Sequence, residues 1–588
     1  MLQIILLIIT HYLSGYLVYR FFFNSSTTIK IIFIPLVLSL FITPATFLLF
    51  ETIAGFDLAL IIMPMVFIAL FAFSLKFPKI KITKEIPDKK TLIIFAIFFL
   101  VVLLGASRTV HFSIISDPPF HMGASNEIIN SKSLPPDSPC LPGDKFAYSW
   151  FSHLSASLFS IYTGSPLLAI YSYYGIYLFI LFFFSSYILA DHYLKNKNFR
   201  LLFLCLAMIY TIGFGSFFLH SPQSYALPFL SLIFYTLLIS VKEDQKKYKV
   251  FAGFLSASLI YMHALSFSFS LLILVSISLY TFLYSKKDKV ISCLCYLSPF
   301  IISIPYTLFL SSNLNTLYIF EPLAGIHSLL NYINYINILA IVLPFAAYAA
   351  IKKDESDQTV LLLSIITVLI FVNIFIMTRS PNIERNTILL FFPSTLLTLN
   401  YLQSSRRSIK IIVSAIAVII FLQPAITDVT NTFFLQYSQP IHSIPEYNIS
   451  MWIKDNSVST DRILSAPIAI YSGLSERKAV VCNPDFLRGL NYNSTRLKSS
   501  FGDVLSLFNS PTKELVDKHN IKYIIFGPTE KAFLEKYEIT PFEFSSSPAF
   551  QSIYQYGNIS VYSIKDPGQL PKTSSTSSFT SRSRWWEI

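Results

Sequence analysis

The residues able to do chemistry in this chain lie beside long apolar runs, and the densest group is Asp117-Pro118-Pro119-Phe120-His121-Met122-Gly123-Ala124-Ser125-Asn126-Glu127. Asp followed by Pro is a strong helix start. The carboxylate accepts from free N–H groups of the first turn, where proline's missing donor is not needed. On that helix Asp117 and His121 fall one turn apart on the same face. A carboxylate beside an imidazole suits general-base work, taking a proton from a hydroxyl while the ring steers the substrate. His153 follows within Tyr148-Ser149-Trp150-Phe151-Ser152-His153, and His220, His263, Glu321 and His327 come later. Arg379, Glu384 and Arg385 close the series. Either arginine taken alone reads first as a structural pair with Glu384 or a lipid head-group contact, although guanidinium groups also match phosphate oxygens in a bidentate way and either could hold a phosphate. A divalent metal could bridge Asp117 and Glu127 to such a phosphate, although no ligand spacing demands one.

Elements that position these residues must cross a membrane. Hydrophobic residues make up 54% of the 588 and charged ones 13%, with a mean hydropathy of +0.59. Soluble chains carry roughly 25% charged residues, and half that share cannot coat so much apolar bulk. The fold class is therefore a polytopic α-helical membrane protein, surrounded by membrane lipids. Its 44 basic and 32 acidic residues leave a charge of +12. Lys and Arg gather in cytoplasmic loops, so this excess does not imply nucleic acid. Five cysteines form neither a disulfide framework nor a metal cluster. Cys205, Cys293 and Cys295 sit in apolar runs, whereas Cys140 and Cys482 fall in polar segments where a bridge is possible. The first apolar run lacks a basic leader and a small-residue cleavage site before Arg20, so it reads as a retained helix.

Apolar stretches of spanning length occur near 2–19, 30–50, 57–75, 91–107, 166–190, 201–219 and 223–240. The run 249–284 is too long for one crossing and divides around His263 to Ser266. Further spans lie near 290–310, 331–350, 359–377, 386–402 and 411–427. The expected total is about 14 transmembrane helices. Lysines and arginines crowd alternate loops, including Lys76 to Lys90, Lys195 to Arg200, Lys242 to Lys249, Lys286 to Lys289, and Arg406 to Lys410. The positive-inside rule makes that side cytoplasmic. Loop 108–149 and everything after residue 430 then lie outside, and the polar belt from Asp117 to Arg385 collects on that outer face. It could line one outward cavity.

From 431 to 566 the chain turns polar, with β-rich runs at Arg462 to Ile470, Ile521 to Phe526 and Asn558 to Ile564. Helical stretches around Tyr447 to Lys454, Thr512 to His519 and Thr529 to Tyr537 separate them. That alternation predicts a small extracytoplasmic α/β domain. Sequons at Asn448, Asn493 and Asn558 agree with an outside location, whereas one at Asn24 falls in an expected cytoplasmic loop. The tail 567–588 is Ser/Thr-rich and reads as disordered.

The run from Asp117 through His121 to Leu134-Pro135-Pro136 resembles the first outer loop of the GT-C superfamily of polytopic membrane glycosyltransferases. Tyr148 to His153, leading through Ala156 to Thr163-Gly164, is similar to the next block of archaeal-type members, which end in an extracytoplasmic domain. Trp452-Ile453-Lys454, Tyr523 to Gly527 before Glu530, and Tyr554 through Tyr562 fit such a domain. The resemblance implies additional N-terminal helices over 1–90, a GT-C-like membrane core over 91–430, and an outer domain over 431–566. It also implies a polyprenyl-phosphate-linked sugar donor and a glycan, lipid or protein acceptor. Asp117 and His121 would then be catalytic, and Glu127, His153, Arg379, Glu384 and Arg385 substrate-binding. Two departures stand out: Pro118 follows Asp117 where many members have a second acid, and the Trp-Trp-Asp-x-Gly signature of oligosaccharyltransferases is absent. Two other readings compete. A transporter or flippase of a lipid-linked or polar solute needs charges near the bilayer midplane and often inverted repeats, and neither is seen. A non-catalytic, membrane-anchored interaction protein would leave Asp117 as a helix cap alone.

Overall fold

Long apolar helices dominate the computed structural model. It describes residues 2–23, 25–76, 80–112, 117–146, 148–213, 221–284, 288–313, 338–353, 355–376, 387–405, 444–482, 484, 487, 494–565 and 567–571. The chain divides into two compact units. One takes in the described parts of 1–111, 148–311 and 317–438, and the other those of 112–147, 312–316 and 439–588. Loop 108–149 thus folds largely with the C-terminal segment, whereas the sequence alone assigns it to the membrane core.

The first unit opens with α1 (Leu2–Phe22), α2 (Thr28–Ala54), α3 (Phe56–Ser74) and α4 (Lys89–Phe112). Strands β1 (Ser25–Thr27) and β2 (Lys81–Thr83) pair in parallel and tie two connecting loops together. After α5 (Asp117–Ser131), which belongs to the second unit, come α6 (Phe151–Thr163), α7 (Leu167–Tyr193), α8 (Lys197–Gly213) and α9 (Pro222–Lys242). The long run near 249–284 does divide at His263, into α10 (Lys246–Ser258), one 3-10 turn, and α11 (Ala264–Tyr284). Next is a helical stretch over Lys289–Leu310. Helices Ile338–Lys353, Ser356–Ile376 and Thr387–Ser404 follow it. The expected span 411–427 lies outside the described residues.

Among the described residues six helices are long and apolar enough to cross a bilayer. Backbone polar groups must be satisfied internally in lipid, and a helix does this within one segment. Burial sorts these helices. In α9, 94% of the apolar window is buried inside the protein, against 17% for Lys289–Leu310. The first is therefore a central helix, and the second turns Ile291, Leu294 and Ile301 outward, as lipid contact requires. Small hydroxyls join the central helices: Ser155 meets Tyr225 at 2.6 Å and Ser186 meets Ser231 at 3.0 Å. The chain is a multi-pass membrane protein.

The second unit is built on strands β3 (Arg462–Leu464), β4 (Lys478–Ala479), β5 (Ile521–Phe526), β6 (Phe550–Tyr556) and β7 (Ile559–Ile564), in the order β4-β3-β5-β7-β6. The β3 pairings are parallel, and β7 runs antiparallel to both neighbours. Ile463, Ile524, Ile525 and Val561 are buried on the sheet, and Val504, Leu507 and Phe508 of helix Ser494–Asn509 are buried too. The run Arg462 to Ile470, read from sequence as extended throughout, stays a strand only to Leu464. Pro467 interrupts it, and a short helix, Ala469–Ser475, follows.

Candidate functional site

Asp117 opens α5, placing Pro118 and Pro119 in the first turn, where no intrahelical donor is required. His121 lies one turn on and is buried, its ring edge-on to Phe120 at 5.5 Å. At 100° per residue, Pro119, Gly123, Asn126 and Asn130 share a face roughly 160° away from Asp117 and His121. That opposite face docks on the helix Ala469–Ser475. A Cβ on Gly473 would stand 2.3 Å from the Pro119 carbonyl oxygen, so only hydrogen fits there. The Asn126 side-chain amide donates to the Gly473 carbonyl at 3.2 Å.

Glu127, expected from the resemblance to meet substrate, forms an ion pair with Lys478 at 2.7 Å and is 7% exposed. Burial pushes its carboxyl above the ordinary value, against the opposing pull of the Lys478 ammonium. The Lys478 ammonium also stands 3.7 Å from Asp137, which in turn pairs with Lys145 at 3.0 Å. Glu127 is ten residues along α5 from Asp117, or about 15 Å of helix rise. One ion cannot touch both. No group of three or more His, Cys, Asp or Glu residues suited to a metal occurs among the described residues.

The loop after α5 is anchored twice more. Cys140 is disulfide-bonded to Cys482, a pairing the sequence left open. Arg496 donates to the Asp144 carboxylate and, at 2.5 Å, to the Pro142 carbonyl. Lys478, Gly473 and Arg496 were invisible to sequence reasoning, because nothing local marks a residue whose partner lies more than 300 positions away. The one available signal was that Cys140 and Cys482 both sit outside the apolar runs.

In the first unit His153 is fully buried near the start of α6. Its Nδ1 lies 3.3 Å from the Ser152 hydroxyl and its ring 6.3 Å from Tyr148. The lead-in to α6 is pinned by Ser149, which donates to the Ile260 carbonyl at 2.9 Å and accepts from the Ala264 amide at 3.1 Å. Tyr306 donates to the Tyr148 carbonyl. Gly164, with φ of +69°, ends α6 in the left-handed region that other residues disfavour. This accounts for the Thr163-Gly164 pair. His263 holds Ser266 at 2.8 Å at the break before α11. His220, Glu321, His327, Arg379, Glu384 and Arg385 lie outside the described residues.

By fold the chain is similar to proteins of known structure, at 10–12% sequence identity. ArnT from Cupriavidus metallidurans, solved bound to undecaprenyl phosphate, matches with a TM-score of 0.53 at 10% identity, covering 80% of this chain and 97% of that one. Its apo state matches at 0.52 with the same coverage. The Archaeoglobus fulgidus oligosaccharyltransferase, solved with Zn and sulfate, matches at 0.47 and 12% identity over 74% of this chain and 68% of its own. No family model matches the sequence, and neither does any curated protein.

Proposed function

We propose that this protein is a membrane glycosyltransferase that moves a sugar from a polyprenyl-phosphate-linked donor to an acceptor on the extracytoplasmic side. The observation that carries the reading is the fold shared with nearly the whole of ArnT, a protein solved with a lipid phosphate in place. Transfer from such a donor requires a base for the acceptor hydroxyl and positive charge at the departing phosphate. Asp117 is the base and His121 its neighbour on the same helix face. Arg379 or Arg385 neutralises the phosphate, and His153 contributes to donor binding. Glu127, paired with Lys478, and Glu384 complete the proposed substrate-binding set.

Loop charge places residues 108–149 and 431–566 outside the membrane, as a small extracytoplasmic α/β domain together with its loop. A disulfide between Cys140 and Cys482 supports that side, since structural disulfides persist in oxidising compartments. The deciding experiment compares the envelope glycans of a deletion strain with those of its parent and of a strain carrying Asp117→Asn. Glycans missing one sugar in both altered strains support the reading. An unchanged profile in the deletion strain defeats it.

A further inference from the structure

The helix that opens at Asp117 is held by residues of the C-terminal part of the chain, on the face opposite to Asp117 and His121 and on the flank that carries Glu127. Gly473 touches the Pro119 carbonyl so closely that no larger residue fits. Asn126 reaches the Gly473 carbonyl at 3.2 Å. Lys478 pairs with Glu127 at 2.7 Å, and Cys482 is bonded to Cys140 in the loop that follows. Pro119 is two residues from Asp117, so any displacement of its carbonyl moves the start of the helix. We infer that Gly473, with Asn126 and Lys478 in support, is a positioning residue that sets where Asp117 stands for proton transfer. The C-terminal segment is thereby part of the catalytic machinery and more than an appendage to the membrane helices. This rests on the reading of Asp117 as the base.

A methyl group at position 473 must push the Pro119 carbonyl by roughly 1 Å to reach ordinary contact distance. Displacement of about that size in a reacting group can cost about 10²-fold in rate. The bound donor would keep its own contacts. The expected signature is therefore a fall in kcat at unchanged KM, with kcat taken per folded, bridge-containing molecule, because a loss of folded protein would by itself lower the apparent value.

The test uses purified full-length protein in detergent or nanodiscs, with radiolabelled undecaprenyl-phosphate hexoses as donor probes. Gly473→Ala is expected to retain the Cys140–Cys482 bridge and the donor KM while kcat falls about 10²-fold. Amide exchange over residues 119–128 should quicken in the same protein. Gly502→Ala, where an added Cβ meets nothing within 4 Å, should match the parent in all three measurements. Asn126→Ala removes a hydrogen bond without adding bulk, and its kcat should fall severalfold. Full kcat in Gly473→Ala, with Asp117→Asn inactive, overturns the positioning role and leaves the base standing. Full activity in Asp117→Asn overturns the base and the positioning role together. If Gly473→Ala fails to form the bridge, Asn126→Ala decides, and an unaltered kcat there overturns the inference.

Discussion

Cys140 and Cys482 are covalently joined across 342 residues of chain, and the Cys482 amide donates to the Cys140 carbonyl at 3.1 Å. The bond fastens the loop after α5 to the segment just past β4, alongside the ion pairs of Lys478 with Asp137 and of Arg496 with Asp144. Protein trapped with a thiol blocker should therefore carry the bridge, seen as faster migration on a non-reducing gel. Cys482→Ser should destabilise the unit by about 2–5 kcal/mol, read as an earlier melting transition. Free thiols at both positions in freshly isolated membranes would contradict the structure.

Topology can be tested without any activity. A cysteine replacing Lys84 should stay unlabelled by an impermeant maleimide in intact cells, and one replacing Lys522 should react. Both positions are exposed, so access to the reagent depends on the side of the membrane. Labelling at position 84 in intact cells would reverse the assignment made from loop charge.

Asp117→Asn separates a base from a cap. Asn and Asp cap helices about equally well, so a capping role predicts a folded, active protein. A general base contributes about 10²- to 10⁴-fold, so turnover should drop by that factor while the melting transition stays in place. Steady-state turnover of the purified protein on the proposed lipid-linked donor reads the difference.

Lys478→Met should strand the buried Glu127 carboxylate and cost about 1–3 kcal/mol. Adding Glu127→Gln removes the stranded charge and should recover most of that loss. Melting of the four proteins in the cycle gives the coupling directly. Additive single and double changes would mean that the pair contributes nothing.

Glu530 is fully buried, accepting the Ala466 amide at 3.1 Å and the Gly527 amide at 3.0 Å. Burial outweighs those hydrogen bonds and raises its carboxyl from 4.5 to about 7. Between those values the folded protein holds a proton that the unfolded chain has released. The associated stability is present below the unfolded value and lost as pH rises through the folded one. Relative to Glu530→Gln, the parent should lose melting temperature by about a few degrees from pH 5 to 7.5. A constant difference between the two across that range would remove Glu530 as the cause.

Much of the local structure was legible in the residues. The strand at Ile521 to Phe526 is a run of β-branched and aromatic residues and folds as one. The break at His263 follows from the length of the apolar run. The hairpin of β6 and β7 escaped notice, although Tyr556-Gly557-Asn558 is a turn signal and Gly557 takes a φ of +60°. The helix Ala469–Ser475 also escaped, because its Ile, Ala and Tyr residues read equally well as strand until Pro467 is given its weight.

That this is a membrane protein, where its apolar runs lie, and that Asp117 and His121 share a helix face all follow from the order of residues alone. Each of these is a local sum over neighbours in the chain, of hydropathy, of charge or of helical angle. That α5 rests on Gly473, that Glu127 pairs with Lys478, and that Cys140 meets Cys482 emerge from the folded chain alone. Those contacts depend on which surfaces are pressed together after more than 300 intervening residues. No periodicity or composition encodes them, because each partner taken alone is an ordinary glycine, lysine or cysteine.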